Sequence, residues 1–199
     1  MILMNKFFYN LPQIYDGLTE ILSLGAWKQW QKRALEDLKG KKVLEVGIGP
    51  GKLLVRMAKD GYEVTGVDTS GHMLKNAQRR ADRKGAKVEL VKASVYKMPF
   101  PDHTFDDVVS TFSVVAFQSP EKAFREMKRV LKPGGRIIII DGGYPMDNNP
   151  IAIFLLKLIS RAGSIYRNEM PALGKVGFKT KREDFGPFNM IHKIVAVKS

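Results

Sequence analysis

An α/β fold, a parallel sheet with helices on both faces, is predicted by three features of the chain. Short apolar runs alternate with helical patterns from residue 41 to 141, the arrangement of strand–crossover–strand units. A glycine loop, EVGIGPG at 45 to 51, lies between the first apolar run and the first helical pattern. The run GGRIIIID at 134 to 141 carries four consecutive isoleucines, as suits a strand covered on both faces. With 199 residues, 44% of them hydrophobic, the chain suits one domain with a full core.

The elements follow in order. Residues 12 to 38 place Leu18, Ile21, Leu22, Trp27, Trp30, Ala34, Leu35 and Leu38 at helical spacings. Gly25 interrupts that pattern, which predicts two short helices, and Gly40 ends the segment. KVLEVG (42 to 47) reads as the first strand and GKLLVRMAKDG (51 to 61) as a helix closed by Gly61. EVTGVD (63 to 68) is the second strand, and GHMLKNAQRRADRKG (71 to 85) the second helix of the unit. KVELVKA (87 to 93) is the third strand, and TFDDVVSTFS (104 to 113) holds the fourth. SPEKAFREMKRVL (119 to 131) is a helix with Ser119 as its cap and Pro120 at its first position. The fifth strand spans 134 to 141, and PIAIFLLKLISRAG (150 to 163) is a further helix. The closing HKIVAVKS predicts an antiparallel strand or hairpin at the sheet edge.

Composition removes several classes of function. The chain has no cysteine, which excludes disulfides, thiolate zinc sites and cysteine nucleophiles. A reducing cytoplasm is the expected location. Thirty-three Lys+Arg against 20 Asp+Glu give a formal net charge of +13. The basic residues are spread along the chain, densest in KNAQRRADRKGAK (75 to 87), and read as a solvated surface rather than a nucleic-acid site. No apolar run is long enough to span a membrane, and the start lacks the features of a signal peptide.

The loop at 45 to 51 joins a strand to a helix, so helix N–H groups and a crevice meet at the carboxyl ends of the strands. Glycines there let backbone approach a ligand. A P-loop is excluded, because Leu53 follows Gly51-Lys52 where a hydroxyl is required. A dinucleotide fingerprint is excluded, because Gly51 comes one residue too early after Gly47 and Gly49. Asp68 ends the second strand 19 residues after Gly49, where a carboxylate can accept hydrogen bonds from both hydroxyls of a ribose.

EVGIGPG fits the E/D-x-G-x-G-x-G signature of class I S-adenosylmethionine (SAM)-dependent methyltransferases. With GVDTSGHML, MPFPDHTFDDVV and RVLKPGGRIIIID in the same order, the chain resembles the small-molecule members of that family, the methyltransferase type 11 group. The stretch YDGLTEILSLGAWKQW (15 to 30) resembles the start of ubiquinone/menaquinone C-methyltransferases. FGPFNMIHKIVAV resembles the end of bacterial phospholipid N-methyltransferases. The resemblance implies a Rossmann-like seven-stranded sheet with helices on both faces and the last strand antiparallel. It implies one domain over 1–199: a helical lid (1–40), a cofactor-binding core (41–141), and a substrate-side helix with the last strands (142–199).

The resemblance also implies roles at matched positions. Glu45, Gly47, Gly49 and Gly51 would surround the methionine part of SAM. Asp68, with Thr69 beside it, would hold the ribose, and Met73 would pack on the adenine. Ser94 stands where relatives carry an aspartate that reads the adenine amino group, and backbone at Val95 would share that work. Thr111 would face the methionine end, and Tyr15 would belong to a lid over the cofactor.

No metal is implied, and no catalytic base is assigned: His72 and His103 are expected at the surface, and His192 is given no role. STFSVVAF (110 to 117) lacks the [DN]-P-P-[YFW] of enzymes that methylate base or glutamine amino groups. The expected acceptor is a small or lipid-like molecule of quinone or phospholipid type. Ile151, Ile153, Phe154, Leu155, Leu156, Leu158 and Ile159 would form an apolar substrate wall or a peripheral membrane contact, with Lys157, Arg161 and Arg167 beside it. An RNA-directed methyltransferase and a non-catalytic SAM-fold binding module are the alternatives.

Overall fold

A computed structural model describes residues 26–161 and 168–199 of the chain, without the side chains of residues 27 and 158–161. Seven strands form one sheet: β1 (Lys42–Val46), β2 (Glu63–Asp68), β3 (Glu89–Lys92), β4 (Phe105–Thr111), β5 (Leu131–Gly142), β6 (Phe178–Phe185) and β7 (Ile191–Lys198). Their order is β3-β2-β1-β4-β5-β7-β6. The first five run parallel, and β7 inserts antiparallel between β5 and β6.

The described helices are α1 (Ala26–Lys32), α2 (Lys52–Lys59), α3 (Gly71–Lys84), α4 (Pro120–Val130), α5 (Pro150–Arg161) and α6 (Met170–Lys175). The strand order reverses direction at β1, so the carboxyl ends of β1 and β4 flank a switch point where ligands bind in open α/β sheets.

Local chemistry accounts for these boundaries. Ser70 Oγ accepts the Met73 N–H at 3.3 Å to start α3, and Gly85 closes it at φ 58°. Pro120 opens α4, where a missing N–H costs nothing. Each sheet face carries its own apolar layer. Phe105, Phe124, Met127, Leu131 and Ile139 are buried on one. Leu54, Met57, Ile138 and Ile140 are buried on the other.

Several expectations shift. The first apolar segment appears as α1 followed by a 3-10 turn, Arg33–Asp37, while residues 12–25 lie outside the described ones. β5 starts at Leu131 instead of 134, because Leu131 already pairs with Phe105 ahead of an irregularity in the ladder. The expected hairpin forms from β6 and β7, with β6 taking the sheet edge.

Candidate active site

β1 runs into the glycine loop at the switch point. Gly47, Gly49 and Gly51 adopt φ of 72°, 51° and 74°, a region costly to residues with a Cβ. The Gly47 N–H donates to Val67 O at 2.8 Å, and the Gly51 N–H to Ile48 O at 3.0 Å. A Cβ on Gly47 would stand 2.5 Å from Ser113 Cβ, and one on Gly51 would stand 2.6 Å from Ala77 Cβ. At Gly49 a Cβ would meet no protein atom within 4 Å. Two of the glycines therefore serve packing, and Gly49 faces open space.

Asp68 ends β2 beside that loop. Its Oδ2 accepts the Gly49 N–H at 3.1 Å and its Oδ1 accepts the Ser70 N–H at 2.8 Å. Asp68 is 7% exposed. Burial raises its pKa above the ordinary value, and the N–H groups of Ser70, Gly49 and Thr69 counter that rise. The carboxylate thus holds the loop to the end of β2.

Glu45 is 1% exposed. Burial, then the Asp68 charge, push its pKa up to about 8, against a backbone hydrogen bond from Leu54. Its Oε2 has no hydrogen-bond partner among the described residues. A buried carboxyl group with one unpartnered oxygen, able to ionise when a cation lies beside it, fits a ligand that carries positive charge.

The other expected residues within the described part follow β2 (Thr69), begin α3 (Met73), follow β3 (Ser94 and Val95) and end β4 (Thr111). Thr69 is exposed beside Asp68, and Met73 is buried at 6% in the first turn of α3. Ser94 Oγ accepts the Tyr96 N–H at 3.3 Å, within a bridge from Ser94 to Lys97, and Val95 is buried next to it. The Ala93 N–H reaches Asp68 O at 3.2 Å, which ties this segment to the end of β2. Thr111 is 6% exposed, and its Oγ1 accepts from Gln31 Nε2 at 3.1 Å. It is the last residue of β4 and anchors α1. Tyr15 lies outside the described residues. His72 and His103 are exposed, as expected.

Other residues at the site escaped the sequence reading. Phe112 turns the chain after β4 at φ 52°. Ser113 Oγ bonds Ser110 Oγ at 2.6 Å and donates to Val46 O at 3.1 Å, which locks β4 to β1. Beyond Ser113 a pocket of about 280 Å³ is lined by Val114, Gln118, Ser119, Asn168, Glu169 and Ala172, among others. That is near the lower end of the ~300–1,000 Å³ usual for small-molecule sites. Asp141, Glu169 and His192 lie buried alongside, at 2%, 3% and 0% exposure.

A family model described as a methyltransferase domain matches residues 44–139. The demethylmenaquinone methyltransferase of Thermus thermophilus is 35% identical over 139 residues, 67% of this chain and 63% of the relative. The chain thus spans less than two thirds of that relative's length. The demethylmenaquinone methyltransferase of Staphylococcus aureus is 31% identical over 186 residues, 90% of this chain and 73% of the relative.

Among solved structures, a SAM-dependent methyltransferase from Thermotoga maritima superposes with a TM-score of 0.75 at 18% identity, covering 96% of this chain and 98% of that one. One from Aquifex aeolicus gives 0.64 at 23% identity, covering 85% and 89%. These two share the fold. SAM, a sulfonium cation, is the cofactor such proteins use, and the orphaned Glu45 oxygen and the open space at Gly49 fit it. With the matched domain, the curated relatives and the seven-stranded topology in agreement, the chain belongs to the class I SAM-dependent methyltransferases.

Proposed function

We infer that this methyltransferase acts on a lipid-like small molecule of the quinone class, at a ring carbon. The observation that carries the reading is the match to a demethylmenaquinone methyltransferase across 90% of the chain. The acceptor would sit in the pocket beyond Ser113, next to the glycine loop.

Cofactor binding is assigned to the residues already described. Asp68 would hold the ribose hydroxyls with its carboxylate, and Thr69 would border them. Glu45 and the loop at Gly47, Gly49 and Gly51 would hold the charged methionine end, with Thr111 on the β4 side. Met73, Ser94 and Val95 would enclose the adenine, and Tyr15 would cover the cofactor. Bound there, SAM supplies a methyl group on a cationic sulfur. The chain's own part is to align the acceptor with that methyl and exclude water.

A greasy acceptor calls for access from a lipid surface. Met146, Ile151, Phe154 and Phe188 are 66%, 53%, 67% and 46% exposed. Ile151 and Phe154 lie one turn apart on α5, and the 3-10 turn Pro187–Asn189 packs against that helix. Lys157 is on the same helix. The Arg161 side chain and Arg167 lie outside the described residues. No described helix is long and apolar enough to cross a membrane, so this contact would be peripheral.

The experiment offers labelled SAM to the protein with a demethylated hydroquinone, phosphatidylethanolamine or RNA. Label in the hydroquinone product supports the reading. Label in phosphatidylethanolamine or RNA alone overturns it.

A further inference from the structure

We propose that Glu169, His192 and Asp141 form a proton-handling group for the acceptor, with Glu169 the atom-transferring base and the other two positioning residues behind it. The inference rests on the reading above, that the acceptor is a carbon acid bearing a ring hydroxyl. Such an acceptor must lose protons during methylation, and an amine with a free lone pair would need no such group.

The geometry has four parts. Glu169 lines the pocket with Val114, and Val114 follows Ser113, whose side chain abuts the Gly47 position. Glu169 therefore lines a cavity whose wall includes the neighbour of the residue that touches the glycine loop. Glu169 Oε2 lies 3.1 Å from His192 Nε2. Neither atom has an aligned hydrogen bond among the described residues, and His192 Nδ1 has none either. Asp141 stands opposite His192 in the β5–β7 register. Its Oδ2 accepts the Val115 N–H at 3.1 Å and its Oδ1 accepts the Gly142 N–H at 2.8 Å. Buried polar atoms without partners are rare in folded proteins, and three of them in one contact group ask for a reason.

Other charges near the group are already engaged. On β6, Asp184 is across from His192, where it binds Arg182 Nε at 2.6 Å and accepts the Met146 N–H at 2.6 Å. On α4, Glu121 at the pocket rim pairs with Arg125 at 2.7 Å. Burial, then the neighbouring Glu169 charge, push Asp141 up to about 7.

The acceptor O–H breaks, its proton goes to the Glu169 carboxylate, and its electron pair stays on oxygen. The ring carbon then forms the bond to the methyl group, and the methyl–sulfur pair returns to sulfur. The ring C–H proton leaves to solvent, and Glu169 returns its proton to the oxygen. One proton is released per methyl transferred.

The test uses the full chain with a demethylated hydroquinone. Glu169→Gln is expected to lower kcat about 100-fold or more, with the acceptor KM within about three-fold and SAM affinity by calorimetry unchanged. His192→Gln is expected to lower kcat about ten-fold and displace the pH profile, a response that loss of packing alone does not give. A readout independent of turnover uses S-adenosylhomocysteine with the acceptor in heavy water. Wild type is expected to exchange the acceptor ring hydrogen for deuterium, and both variants to lose that exchange.

If Glu169→Gln does not fold, the His192→Gln profile and the wild-type exchange still decide. Wild-type kcat and exchange in either folded variant overturn the proton-handling role while leaving the quinone reading intact. Failure of wild type to methylate any hydroxylated ring overturns both.

Discussion

The backbone N–H of Gly49 donates to Asp68 Oδ2 at 3.1 Å across 19 residues of sequence. One bond thereby joins the tip of the glycine loop to the end of the neighbouring strand. The same carboxylate sets the loop and is the group proposed to hold the ribose. Hydrogen bonds to a charged group are worth about 1.5–3 kcal/mol each. Asp68→Ala is therefore expected to weaken SAM and S-adenosylhomocysteine binding by about 100-fold or more, measured by calorimetry. Micromolar binding retained in this variant would remove Asp68 from the cofactor site.

Glu45 makes the stability of the ligand-free protein depend on pH. Its ordinary pKa of 4.5 rises to about 8 in the fold, mainly through burial. Between those values the folded state binds more protons than the unfolded one, so stability falls as pH rises through that window. Asp141, raised from 3.8 to about 7, adds the same sign over a lower window. Thermal unfolding should show Tm declining from pH 5 to 8.5. Glu45→Gln should raise Tm by about 5 °C or more at pH 8.5 and change it little at pH 5. A Tm that climbs with pH across this range would contradict the direction.

The same carboxyl predicts proton release on binding. A cationic ligand beside Glu45 favours its ionised form, so at pH 7 SAM binding should expel a proton. Calorimetry in buffers of different ionisation enthalpy reads the number released. Glu45→Gln should bring it close to zero.

The three glycines of the loop should separate into two behaviours. Each pays about 1–2 kcal/mol for a left-handed residue with a Cβ. In Gly51→Ala the new Cβ also meets Ala77 Cβ at 2.6 Å, which adds about 1–3 kcal/mol of overpacking. In Gly49→Ala it meets open space. Gly51→Ala should thus lose distinctly more Tm, and Gly49→Ala should fold well while losing SAM affinity. Equal losses of both quantities in the two variants would refute this division.

How much of this was legible in the chain depends on the range of the interactions. The strand–helix alternation and the loop from Glu45 to Gly51 are local patterns, and β2 lies where its residues placed it, from Glu63 to Asp68. The place of Asp68 at the end of β2 was readable in the same way. The cluster of Asp141, Glu169 and His192 was not readable. His192 looks like an ordinary strand residue, and only the insertion of β7 between β5 and β6 buries it opposite Asp141. Glu169 reaches it from the residue before the short helix α6, which has no strong sequence signature. The turn at Phe112, with φ of 52°, is equally silent, because no glycine or asparagine marks it.

The exposed face of α5 supplies the last prediction. Ile151 and Phe154 are one helical turn apart and more than half exposed, which is unusual for two large apolar side chains on one face. Phe188, on the 3-10 turn packed against α5, is exposed as well. Insertion of such side chains into a lipid surface is worth about 1.5–3 kcal/mol each when fully buried, and the +13 net charge adds attraction to anionic headgroups. The protein should therefore sediment with vesicles containing anionic lipid, more weakly as salt rises. Replacing Ile151 and Phe154 together by Ser should lower that partitioning at least about ten-fold while leaving SAM affinity at its wild-type value. Both residues are on the surface, so the double variant should keep its Tm within a few degrees, and a loss of vesicle binding would then report the contact rather than unfolding. Vesicle binding equal to wild type would move the membrane contact away from α5.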